Sequence, residues 1–200
     1  MKLYTIGYID HDPIVHAKYL GPSLSSLKGD FDVWTTTPKE CPAANYNNII
    51  AHSKTPYIIL THQDVAFPSS LLSCIDNTIR QNPAFGALGI VGVDKDKNYL
   101  WSKPDAIQQV VTLDCCFVVI RRGLFKFDAD TFDGYHMYVE DYCGQCNSAG
   151  LGCYTILANG GPGTELNHYG ATAAKLGYAW GDWRKYRAKL DAKWPGIRTT

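Results

Sequence analysis

Three groups of side chains in this sequence have the chemistry of an active site: Asp64, the adjacent pair Glu140 and Asp141, and His168. Carboxylates and imidazoles hold divalent cations, and a carboxylate can also take the proton of an attacking hydroxyl. Each group has a plain alternative. An acid after a strand is often a turn residue or a helix cap, an acidic pair at a helix start is favoured by the helix dipole, and a loop histidine is often only solvated. What sets the three apart is their placement, since each falls at the end of a predicted strand or the start of a predicted helix.

The elements that must position them follow from pattern. Residues 2–9, 31–37, 57–63, 86–93 and 153–159 read as strands, rich in β-branched and aromatic residues. A long strand over 109–122 is interrupted by Asp114. Helices are predicted over 13–27, broken at Gly21-Pro22, and over 42–54, 68–82 and 138–150, with Ser69 or Ser70 as a cap and Gly150 as the C-terminal glycine. Residues 171–200 read as a helical tail. Early strands alternate with helices, so the class is α/β, and ligands in such sheets bind beyond the carboxyl ends of the strands. Asp64 follows a strand and belongs to that edge.

Composition narrows the function. Lys plus Arg and Asp plus Glu are 19 each, so the net charge is zero, which argues against a general nucleic-acid binder. A chain of this length buries roughly 70% of its unfolded surface and needs no metal or disulfide to hold a core. The N-terminal stretch lacks the apolar core of a signal peptide, and no apolar run is long enough to cross a membrane. Seven cysteines without framework spacing read as reduced thiols. The expectation is a cytoplasmic protein, with membrane association at most peripheral.

The order of the three groups resembles the GT-A glycosyltransferases, in particular the family 2-like group. The similarity is most specific in NNIIAHSKTPYIILTHQDVAFP, residues 47–68, which looks like an Asn-led helix, a strand, and a His-Gln-Asp variant of the Asp-x-Asp motif. It resumes at residues 113–156, where an apolar strand leads to an acid-led helix ending in Gly, and NHYG (167–170) matches a late histidine. The resemblance covers roughly residues 45 to 170. It implies one GT-A, Rossmann-like domain with a mixed, mostly parallel sheet flanked by helices. Residues 1–100 would form the nucleotide-sugar half, 101–170 the acceptor and catalytic half, and 171–200 the tail.

The same resemblance implies a sugar transfer from a UDP- or GDP-linked donor to a glycan, lipid-linked or protein acceptor, inversion at the anomeric carbon, and dependence on Mn2+ or Mg2+. Metal ligands would be Asp64 and His168; His62, standing where the family has an acid, is expected to pack or hydrogen-bond. Asp141 would be the base and Glu140 its orienting neighbour. Asp10, Thr36, Asn47, Gln63 and Asp64 would face the donor, with turn or capping roles open for Asp10, Thr36 and Asn47. Asp114, Tyr135 and His136 would face the sugars; a charge that interrupts an apolar strand should face a site or a partner. Arg121 and Arg122 can meet phosphate or only solvent.

Two other features invite readings. Cys143 and Cys146 suit a redox pair or a zinc site, but two acids precede them and no second pair stands at zinc spacing, which favours plain reduced thiols. In the tail, Leu176, Trp180, Trp183, Arg187, Leu190 and Trp194 fall at helical spacing. That stripe fits a membrane-surface helix, a segment folded over the donor, or a helix docked on its own domain. A non-catalytic nucleotide- or glycan-binding protein is the rival to the enzyme.

Overall fold

The computed structural model of the chain describes residues 2–38, 40–170 and 180–199. The first strand, β1 (Tyr4–Ile9), alternates as the pleat requires. Tyr4, Ile6 and Tyr8 face one apolar layer, while Gly7 faces the other, where Ile49 packs so closely that a Cβ would lie 2.5 Å from it. On either side of β1 run β2 (Phe31–Thr36) and β3 (Tyr57–Thr61), both parallel to it. The full sheet has the order β2-β1-β3-β10-β5-β11-β8, completed by β5 (Phe85–Gly89), β8 (Gln109–Val110), β10 (Phe117–Arg121) and β11 (Gly152–Thr155). Strands β1, β2, β3, β5 and β11 point one way; β8 and β10 point the other.

Both faces of this sheet are covered, giving three layers. Ile58 and Leu60 of β3 and Val118 and Ile120 of β10 pack with α3 (Pro42–His52) and α5 (Tyr138–Ser148). Their alternates, Ile59, Phe117 and Val119, pack with α2 (Leu20–Ser26) and α4 (Leu71–Gln81).

The expected elements form, with several changes of boundary. The 13–27 helix breaks at Tyr19, between α1 (Pro13–Lys18) and α2. Gly21-Pro22 instead lies in the first turn of α2, where proline costs no hydrogen bond. Ser70 is the N-cap of α4, yet its side chain makes no capping bond. The 86–93 strand is two strands, β5 and β6 (Val91–Val93), which belong to different sheets; β6 pairs with β7 (Tyr99–Trp101) and β9 (Thr112–Leu113). The 109–122 strand is likewise three: β8, β9 and β10. Asp114 causes the second break, because its Oδ1 accepts the Cys116 N–H at 2.8 Å and turns the chain.

The tail helix α6 (Trp180–Lys193) is docked. Tyr186 and Leu190 are buried in the layer under α3 and α5, with Trp183 and Trp194 packed against it. Those groups face the protein's own core, as in the docked reading of the stripe. Leu176 and the side chain of Trp180 lie outside the described residues. Among the described residues, no helix is long and apolar enough to cross a membrane.

Docking of α6 should depend on pH. Lys193 Nζ sits 2.7 Å from Asp128 Oδ2 and 2.8 Å from Asp141 Oδ1. Burial opposes the charge on Asp128, but bonds from Lys193 and Thr131 outweigh it and lower its pKa to about 2. A depressed carboxylate contributes stability above its unfolded value, ~3.9, and that contribution fades as pH falls through the folded value. Burial opposes the charge on Lys193 too, yet the two carboxylates raise its pKa, so its contribution is present below the unfolded ~10.4 and fades as pH rises beyond. Hydrogen exchange across residues 183–199 should therefore be slowest, after correction for intrinsic rates, between about pH 4 and pH 10. Protection that does not change at low pH would contradict this.

Candidate active site

At the carboxyl edge of β1, β2 and β3 the chain gathers most of the residues expected there. Asp10 follows β1, and its N–H donates to Thr36 O, at the end of β2, at 2.7 Å. Gln63 lies between Asp10 and Asp64 and is fully buried. Its Nε2 donates to Asp10 Oδ1 at 2.9 Å, and its Oε1 accepts the N–H groups of His11 (3.0 Å) and Asp12 (2.9 Å). Gln63 is thus a strut that fixes the β1–α1 turn, with its amide committed at both ends.

Asp64 is 0% exposed. Burying a carboxylate is costly without compensating charge or hydrogen bonds. The compensation comes from far along the chain. The short strand β4 (Val65–Ala66) pairs antiparallel with β12 (Asn167–His168), and Tyr169 N–H donates to Asp64 O at 3.0 Å. This ribbon sets His168 Nε2 3.4 Å from Asp64 Oδ1. Burial works against a charge on His168, but the Asp64 hydrogen bond and the charges of Asp114 and Asp64 prevail and raise its pKa.

His62 joins the same group. Its N–H donates to Cys116 O at 2.9 Å, its Nδ1 lies 4.0 Å from Asp64 Oδ1, and its Nε2 is 3.3 Å from the Tyr138 hydroxyl. Burial, with His168 adding to it, lowers the His62 pKa to about 4, so the ring is neutral near pH 7. One donor atom each from His62, Asp64 and His168 lies within 4.8 Å of the others, as do donors from Asp114, Cys116 and His168. Two ligands about 2.1 Å from one ion stand about 3.0 Å apart at a right angle and farther as the angle opens. The His62–Asp64–His168 set therefore fits a divalent cation with little adjustment.

Asp114 faces this group, and its charge acts on both His62 and His168. Asn47 has a different setting: its Nδ2 donates to Phe127 O at 2.8 Å, and its Oδ1 accepts the Phe127 N–H at 2.9 Å. It staples α3 to the loop before α5. Tyr135 is exposed and His136 half-buried in that loop, just ahead of Met137, the N-cap of α5, which holds a left-handed φ of 68°.

The acidic pair divides. Asp141 is 0% exposed, with Oδ1 accepting from Trp194 Nε1 at 2.7 Å as well as from Lys193, and Oδ2 accepting from Gln145 Nε2 at 3.0 Å. Gly144, one turn on, makes room for this: a Cβ there would meet the Trp194 ring at 2.7 Å. Asp141, expected as the base, anchors the tail through these bonds. Glu140 is 4% exposed, and its charge reaches Tyr99, Cys115 and Tyr138, on the side of Asp114 and His62. Cys143 and Cys146 are buried free thiols, with Cys153 beside them; the thiol of Cys153 is pushed well up by hydrogen bonds with Cys143 and Cys146 and by burial.

Sequence reasoning assigned His62 a packing or hydrogen-bonding role, which its contact with Tyr138 fits, but not its closeness to Asp64 and His168, nor Tyr138 behind it, nor the Lys193–Trp194 grip on Asp141. For His62 the signal was its position two residues before Asp64. For Lys193 and Trp194 there was none, because the contact spans 53 residues for Trp194.

The architecture is shared with solved structures of other proteins. The mannosyltransferase PcManGT from Pyrobaculum calidifontis, solved with GDP-Man and Mn2+, superposes with a TM-score of 0.62 at 12% identity, over 93% of this chain and 61% of that one. S. aureus TarS 1–349 superposes with a TM-score of 0.60 at 9% identity, over 96% of this chain and 66% of that one. The chain has the GT-A fold. A TarS 1–349 complex with UDP-GlcNAc gives a TM-score of 0.53 at 10% identity. The GT-A chain described here spans less than two thirds of the length of PcManGT and of the first of these TarS structures. No protein-family model matches its sequence, and no curated protein matches it.

Proposed function

We propose that the chain is a nucleotide-sugar-dependent glycosyltransferase that moves a sugar from a UDP- or GDP-linked donor to a glycan, lipid-linked or protein acceptor with inversion. The observation that carries this is the meeting of Asp64, at the tip of the β3 edge, with His168, brought 3.4 Å away by the β4–β12 ribbon. Two GT-A neighbours solved with GDP-Man and Mn2+ or with UDP-GlcNAc support a donor of that class.

In this reading Asp64 and His168 hold Mn2+ or Mg2+, and the ion, when bound, neutralises charge on the departing diphosphate. Asp10 and Thr36 border the nucleoside, with Gln63 holding Asp10 in place. Asp114 lies where the transferred sugar would be, and Tyr135 and His136 lie toward the acceptor. We assign the base to Glu140, since Asp141 is bound to Lys193 and Trp194.

A second reading is a binding protein without turnover, favoured by the histidine at position 62 and by the engagement of Asp141. Titration calorimetry with UDP, GDP, UDP-GlcNAc and GDP-Man, with and without Mn2+, tests both readings together. Metal-dependent binding of one nucleotide is expected, and turnover on an acceptor array separates enzyme from binder. No nucleotide binding under any condition contradicts both.

A further inference from the structure

We propose that His62 is a third ligand of the cation site, binding through Nδ1, and that it turns the site toward Co2+ and Mn2+ and away from Mg2+. This rests on the cation reading above and adds a residue and a selectivity to it.

The geometry supplies the first argument. Asp64 Oδ1 is 3.4 Å from His168 Nε2 and 4.0 Å from His62 Nδ1, and these atoms lie within 4.8 Å of one another. The second argument is the other face of the ring. Metal-bound histidines use their second nitrogen in a hydrogen bond that fixes tautomer and orientation. His62 Nε2 meets the Tyr138 hydroxyl at 3.3 Å. Tyr138 is buried and its ring is held between Tyr46 and Phe127, with centroids at 5.9 and 5.8 Å. With the proton on Nε2 and donated to Tyr138, the Nδ1 lone pair faces Asp64.

Donor chemistry then sets the preference. Two imidazoles and one carboxylate suit first-row transition metals, with Co2+ ahead of Mn2+, whereas Mg2+ demands oxygen ligands in near-ideal octahedral array. The competing group, Asp114–Cys116–His168, shares only His168 with this set. It would put sulfur on the metal, which spectroscopy can detect.

The test uses the full chain with saturating UDP or GDP, whichever it binds. Calorimetric competition should show wild type preferring Co2+ and Mn2+ over Mg2+ by about 100-fold or more. His62→Asp, which places an oxygen ligand there, should narrow that preference by about tenfold or more, and Tyr138→Phe should weaken Mn2+ by up to about tenfold with the fold intact by circular dichroism. Visible absorption of Co2+ on the wild-type chain should show nitrogen–oxygen coordination, changed by His62→Ala and unchanged by Cys116→Ser. Equal Mg2+ and Mn2+ affinity in wild type, a metal preference untouched by His62→Asp, or a near-ultraviolet thiolate band lost in Cys116→Ser would overturn the assignment of His62 and leave the cation reading standing. Absence of all cation binding overturns both.

Discussion

Glu140→Gln should lower sugar transfer by about 10²–10⁴-fold while donor affinity stays within about twofold of wild type. The substitution keeps size and hydrogen bonding but removes the group proposed to accept the acceptor's proton. Successive residues on a helix point about 100° apart, so Glu140 and Asp141 cannot share one task. Asp141 is turned to the tail, where Lys193 and Trp194 hold its Oδ1, while Gln145 on its own helix holds its Oδ2. The charge of Glu140 acts on Cys115, which Asp114 also reaches, and on Tyr138, the residue that meets His62. Nucleotide release with acceptor present, beside calorimetry for the donor, separates the two quantities. Asp141→Asn should spare transfer far better than Glu140→Gln; the reverse ranking would return the base to Asp141.

Lys193→Met should destabilise the protein by about 3 kcal/mol, because it leaves the buried Asp141 charge with only neutral donors. The lysine side chain is itself about one third exposed, so the effect sits at the low end of the range for buried pairs. For a chain of this size that is a fall of about 6–12 °C in melting temperature. Adding Asp141→Asn should recover part of the loss, since the neutral amide needs no counter-charge and can still meet the Trp194 indole. Differential scanning calorimetry of the two single variants and the double variant forms the cycle. Strictly additive losses would show that Lys193 and Asp141 are not coupled.

What the sequence made legible follows the range of each interaction. Strands β1, β2 and β3 and helices α3, α4 and α5 stand within a few residues of the patterns that announced them, because period-2 and helical spacing are local signals. Asp64 was legible for the same reason: a strand of Ile58, Ile59 and Leu60 ending in a carboxylate marks the edge where α/β sheets bind ligands. The split at Ile90 was hidden, since apolar runs look alike whether they serve one sheet or two, whereas the charge of Asp114 marked the interruption of its strand. The β4–β12 ribbon has two residues on each side and pairs segments about a hundred positions apart, which no local pattern encodes. The Asp141 anchor was hidden by a different cause. An acidic pair at a helix start says which turn is acidic, not which acid meets the tail.

The most direct test of the site is where a metal ion binds. Crystals of the full chain grown with Mn2+ and the nucleoside diphosphate it binds, measured for manganese anomalous scattering, should place the ion about 2.1–2.3 Å from an Asp64 carboxylate oxygen and from His168 Nε2, next to the diphosphate. An ion bound to the diphosphate with Asp64 and His168 both out of coordinating reach would contradict the account.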